Sequence, residues 1–179
     1  MTAVVPKASS LWRRLRGFTV TSLVLRVPEA EPAVAVLGPP AGGDLPAHLT
    51  IAYPFPLAAM GTGPTAVLER MFGEHDAFDL ELDTLGRFDD VAYLTSRDPR
   101  RGAGLAAAVQ DRFPGSPLYG GAFDTFVPHV SLGPVSRLNA TSEAALRNLL
   151  PIRSHVREVE LWGLCRGHWV LVRGFPLKS

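Results

Sequence analysis

The chain has one cysteine, Cys165, so no disulfide can close within it. Its fold must rest on packing and hydrogen bonds, and a lone thiol suits a reducing compartment. It also lacks any run approaching the ~20 apolar residues that a helix needs to cross a bilayer. No membrane partner is expected. Charge of one sign is missing too: 18 Lys and Arg stand against 17 Asp and Glu, a formal net of +1. That balance argues against wholesale wrapping of nucleic acid, while a local basic patch can still take a short phosphate ligand. What is present is a 46% hydrophobic content over 179 residues, enough for one compact domain with a real core. A cytoplasmic monomer is the expectation.

Arg13, Arg14 and Arg16 precede an apolar stretch from Phe18 to Val27. This is the order of a twin-arginine export signal. However, Thr19, Thr21 and Ser22 interrupt the stretch, and no small-residue cleavage site follows. The better reading is a β-strand preceded by a basic tail. Residues 1–16 are expected to lack regular structure, and 17–179 to form a single domain.

Two short segments say nearly the same thing. Residues 46–55 read Pro-Ala-His-Leu-Thr-Ile-Ala-Tyr-Pro-Phe, and residues 126–133 read Phe-Val-Pro-His-Val-Ser-Leu-Gly. Each sets a proline just ahead of a histidine, then an apolar residue, a hydroxyl residue and another apolar residue. Alternation with period two predicts a strand in each. Residues i and i+2 of a strand share a face, so His48 points with Thr50 and His129 with Ser131.

Two imidazoles can act as general base and general acid near neutral pH. Two hydroxyls can donate to the oxygens of an anion that gains charge in its transition state, such as a phosphoryl group. The set fits phosphodiester chemistry without a metal or cofactor. A single His-x-Thr is uninformative, and strand histidines are more often structural than catalytic. Two matched copies are harder to attribute to chance. Two other readings stay open: a module that binds a nucleotide or RNA 2′-phosphate without turnover, and a metal hydrolase. The latter ranks last, because the motifs supply two nitrogen ligands and no suitably spaced carboxylate.

The pair His48-Leu49-Thr50 and His129-Val130-Ser131 resembles the two signature motifs of the 2H phosphoesterase superfamily. The context of the first is similar to the bacterial 2′-5′ RNA ligase-like branch. Leu85-Gly86-Arg87-Phe88 and the segment Phe113 to Gly121 also look like members of that branch, and the likeness runs from about Phe18 to Leu177. Ser131 departs from the commoner threonine but keeps the hydroxyl. The resemblance implies a bilobal, duplicated α+β fold. Two antiparallel-rich sheets would flank a central cleft, with helices outside. It implies a hydrolase of 2′,3′-cyclic or 2′-5′ phosphodiesters on nucleotides or RNA ends, needing no metal. His48, Thr50, His129 and Ser131 would be its catalytic residues.

Along the chain, strands are predicted at 18–27, 47–53, 77–86, 90–96, 126–132, 155–162 and 168–173. Helices are predicted at 29–37, 63–72, 100–112 and 141–150, with Gly/Pro-rich loops at 38–46 and 114–122. The two histidines are 81 residues apart. A shift by that amount lays the helix at 63–72 on that at 141–150, and the strands at 77–96 on those at 155–173. This element order predicts a duplication about a pseudo-two-fold axis, with the motif strands at its centre.

Other residues carry weaker signals. His75, His155 and His168 read as surface or loop residues, and His168 and Trp169 as lying away from the cleft. Tyr53 is expected to pack in the core, on the face opposite Thr50. Phe88 and Tyr119 sit at loop edges, where packing competes with stacking on a base. Arg97, Arg100, Arg101 and Arg137 read as solvated. Cys165 reads as a small packed residue.

Overall fold

The computed structural model describes residues 17–38, 44–56, 62–115, 117–121 and 126–179. The expected basic tail, residues 1–16, and parts of both predicted loops lie outside that set. The chain opens with β1 (Phe18–Arg26), a 3-10 turn and α1 (Glu31–Leu37). It continues through β2 (His48–Phe55), α2 (Thr62–Gly73), β3 (Phe78–Leu82), β4 (Thr84–Arg87) and β5 (Val91–Thr95). The second half runs α3 (Arg100–Arg112), β6 (His129–Pro134), α4 (Ala140–Leu149), β7 (Ile152–Val156), β8 (Glu158–Cys165) and β9 (His168–Pro176).

Helix, strand, helix and three strands therefore occur twice, from α1 to β5 and from α3 to β9. The duplication expected from element order is present, with one change. Each predicted strand pair is three strands. The predicted strand 77–86 breaks at Asp83 into β3 and β4, and that at 155–162 becomes β7 and β8, parted at Arg157. At each break the chain leaves one sheet for another. β3 and β7 pair with each other in a small two-stranded sheet, Leu80 opposite Ser154. The other strands form one antiparallel sheet in the order β4-β5-β6-β2-β1-β8-β9. Alternation continues across such a break, because a side-chain period does not record a change of hydrogen-bonding partner.

Local chemistry explains the helix ends. Pro28 and Pro32 have no N–H to give, and the entry to α1 is a 3-10 turn over Pro28–Ala30. Asn139 caps α4: its side chain accepts from the N–H groups of Thr141 and Ser142, and Ser142 returns a bond to the Asn139 N–H.

The core lies on the helix side of the large sheet. Leu49 and Ile51 of β2, Val130 and Leu132 of β6, and Leu94 of β5 are buried there with Leu105, Ala106 and Val109 of α3. Each fully buried Leu, Ile or Val side chain contributes about 1.5–3 kcal/mol relative to exposure. Gly102 lets α3 come close: a Cβ there would lie 3.3 Å from Pro128 Cβ and 3.7 Å from Leu49. Gly133, at φ 148°, sits where a Cβ would strike the Gly38 carbonyl and lie 3.0 Å from Leu37 Cβ. The end of α1 thus packs on β6 only because that position is glycine.

Candidate active site

β2 and β6 meet at the middle of the large sheet through the pair Leu49↔Val130. Both of these side chains are buried on the helix side. The flanking positions, His48 and Thr50 on one strand and His129 and Ser131 on the other, project from the opposite face. All four are half-buried. Antiparallel continuation from the central pair sets His48 toward Ser131 and Thr50 toward His129. The four residues singled out in the sequence are therefore brought together at one place.

The two imidazoles are held in the same way. His48 Nδ1 lies 2.7 Å from the Pro46 carbonyl, and His129 Nδ1 lies 2.7 Å from the Val127 carbonyl. A carbonyl oxygen only accepts, so Nδ1 carries the proton in both rings. Nε2 is left as the nitrogen available to a ligand. In each motif the holding carbonyl belongs to the residue two places upstream. The strand backbone itself thus fixes tautomer and ring direction.

Burial holds both imidazoles below the ordinary value of 6.5, and the Nδ1 bonds oppose that effect. Repulsion from His129 and Arg26 lowers His48 further, while Glu31 raises it. The carboxylate of Glu31 also accepts from the Ala47 N–H at 2.8 Å, tying α1 to the start of the first motif.

The walls differ on the two sides. Next to β6, Tyr93 of β5 pairs with Ser131 and Thr95 with His129. Phe88 stacks on Tyr93, with centroids 4.2 Å apart, and meets the His129 ring edge-on at 5.0 Å. Gly86 makes room for this group: a Cβ there would collide with the Tyr93 ring. Next to β2, the Tyr119 hydroxyl is hydrogen-bonded to the Thr50 side chain, and burial pushes its pKa up. Tyr119 has φ 51°, in the left-handed region. Its ring lies 6.4 Å from that of Tyr53, which lies 6.4 Å from that of Trp169.

Two expectations are corrected here. Tyr53 is not in the core but 36% exposed. The β1–β2 pairing carries irregularities between Thr21 and Val24, and Thr21↔Phe55 and Leu23↔Ala52 no longer follow a strict period. The slip turns Tyr53 outward. Trp169 is not remote from the motif strands, because the β8–β9 hairpin brings it against Tyr53. Several of the arginines and histidines weighed in the sequence are engaged by partners outside the motifs. Arg97 pairs with Asp83, Arg100 with Asp98, His155 with Asp79 and His168 with Asp44. Arg137 donates to the Leu37 carbonyl at 2.8 Å. The residue missed in the sequence is Arg26, which pairs across β1–β2 with His48. Its signal was faint: one cation ending an otherwise uncharged strand.

A family model described as the 2′-5′ RNA ligase superfamily matches residues 4–167. The chain belongs to this superfamily. The fold agrees with that of several solved structures. The E. coli LigT structure complexed with NADP+ is 21% identical, with a TM-score of 0.60, covering 90% of this chain and 99% of that one. The E. coli LigT structure complexed with 3′-AMP is 19% identical, with a TM-score of 0.60, covering 89% and 98%. The structure of TT0787 of Thermus thermophilus is 17% identical, with a TM-score of 0.56, covering 90% and 99%. No curated protein matches the chain. Membership of the 2′-5′ RNA ligase superfamily supports a phosphoesterase or ligase activity. Among the described residues, no helix is long and apolar enough to cross a membrane.

Proposed function

We propose that the protein is a metal-independent phosphoesterase that acts on 2′,3′-cyclic or 2′-5′ phosphodiesters of nucleotides or RNA ends. The observation that carries this reading is the matched pair of Nδ1–carbonyl bonds, both at 2.7 Å, which leaves two Nε2 atoms free in one place.

In ring opening, a water oxygen bonds to phosphorus as the bond to the 2′ or 3′ oxygen breaks. One neutral imidazole takes the water proton at Nε2. The other, as imidazolium, gives its Nε2 proton to the departing oxygen. The product is a nucleoside monophosphate, and the proton has moved from one ring to the other. Thr50 and Ser131 donate to the non-bridging oxygens, whose charge rises in the transition state. Ligation runs the same transfers with a 5′-hydroxyl in place of water as the attacking group on the cyclic phosphate, and cleavage of a 2′-5′ linkage runs them backwards, with the two rings exchanging roles.

The test is incubation with 2′,3′-cyclic nucleotides and a 2′-5′-linked dinucleotide in EDTA, alongside His48→Ala and His129→Ala. Ring-opened or cleaved product from the wild type, lost in both variants, is expected. Activity abolished by EDTA would overturn the metal-free part. Binding without turnover on either substrate would overturn the enzyme reading in favour of a 2′-phosphate-binding module.

A further inference from the structure

Arg26 ends β1 directly across from His48, so the two side chains share the face that carries the motifs. Its Nε is buried and has no hydrogen-bond partner. None of the ion pairs among the described residues involves it. A half-buried guanidinium without a direct ion pair and with an unpartnered Nε is an incomplete arrangement, because its desolvation is only partly offset.

The position of Arg26 is nevertheless built. The Trp162 ring lies beneath it, with the centroid 5.7 Å from Cζ. The indole Nε1 donates to Glu160 Oε2 at 2.6 Å, and both residues are buried. The acid on this wall is hydrogen-bonded to the indole rather than to Arg26; burial raises its pKa, and the Trp162 bond and the nearby Arg26 charge oppose that rise.

The arrangement is one-sided. β2 and β6 are the matched motif strands, flanked by β1 and β5. The position that faces His129 as Arg26 faces His48 is Thr95. Thr95 is neutral, and its hydroxyl is committed to the Pro128 carbonyl at 2.7 Å. One histidine has a cation beside it, and the other has the Phe88–Tyr93 stack.

We propose that Arg26 binds a non-bridging phosphate oxygen of the substrate, and that its place on the His48 side alone gives an otherwise two-fold site a single binding direction. The inference rests on the phosphoesterase reading and assigns its anion contact. Guanidinium suits the task, since its N–H fork matches phosphate oxygens and its charge favours the more anionic transition state.

Arg26→Gln and Arg26→Lys are compared with wild type for turnover of a 2′,3′-cyclic nucleotide and for competitive inhibition by inorganic phosphate. In Arg26→Gln, KM and the phosphate inhibition constant are expected to rise roughly 10–100-fold. Arg26→Lys is expected to recover part of the loss, keeping the charge without the fork. A wild-type inhibition constant in Arg26→Gln would overturn the assignment and leave Arg26 as packing for Trp162. If Arg26→Gln does not fold, a phosphate titration of the wild-type protein reads the arginine Nε–H resonances by NMR. Movement of the Arg26 signal is expected, and a static one overturns the proposal. Absence of wild-type turnover would overturn the phosphoesterase reading, and the same titration then judges Arg26 on its own.

Discussion

His48 and His129 each give the Nδ1 proton to a carbonyl two residues upstream. Replacing either removes one proton-transfer partner and is expected to lower kcat by about 10²–10⁴-fold. Because burial lowers both imidazoles, the form carrying one proton between them is populated on the acid side of the ordinary value. A bell-shaped kcat/KM profile with its maximum below pH 6.5 is expected, and a maximum above pH 8 would contradict it. The same shifts act on stability. The unfolded histidines bind protons near pH 6.5, while the folded ones resist until lower pH. The unfolded state therefore holds more protons in that window, and stability falls as pH drops through it. Thermal unfolding between pH 7.5 and 5 should show this loss, reduced in a His48→Asn, His129→Asn double variant. Tyr119→Phe removes the bond to the Thr50 side chain. An activity loss of roughly 2–10-fold is expected, matching the ~0.5–1.5 kcal/mol of a neutral hydrogen bond.

The motif strands depend on close approaches that only glycine permits. Gly133→Ala forces a Cβ against the Gly38 carbonyl at φ 148°. A stability loss of at least about 2 kcal/mol is expected from backbone strain and overpacking, measurable by urea unfolding. Gly86→Ala presses instead on the Tyr93 ring, whose centroid lies 5.2 Å from that of His129. Here activity is expected to fall several-fold with a smaller change in midpoint. Equal loss of both would show that the ring cannot yield. At this scale the sequence was legible where period two held: β2 and β6 came out with the expected faces. It was illegible where pairing slipped, as at Tyr53, because irregular register on β1 reverses the alternation on its partner.

Over the whole molecule the two repeats are interlocked. β1 pairs with both β2 and β8, β2 with β6, and β3 with β7. Neither half can satisfy its strand edges alone, so residues 17–98 and 99–179 expressed separately are expected not to fold. The intact chain should unfold in one transition, with near- and far-UV circular dichroism coincident. Two separate transitions would mean that the repeats are independent units. Strand order also breaks the symmetry. β6 is flanked by β5 and then β4, whereas β2 is flanked by β1, then β8 and β9. β1 stands beside β2 as β5 stands beside β6, and of these two flanking strands β1 alone delivers a cation, Arg26, to the motif face.

The sequence by itself determined the repeat, the two His-x-hydroxyl pairs and the face each would occupy. These are local properties: a two-residue period and a recurring order of elements, both written along the chain. Tertiary structure alone decided what stands beside each imidazole. Arg26 is 22 residues from His48 in the chain, and Tyr119 is 69 from Thr50. Nothing local links them, and only strand pairing and the return of a distant loop bring them into contact. The motifs can therefore be read as a matched pair, while the inequality of their surroundings arises from how the strands are ordered in space.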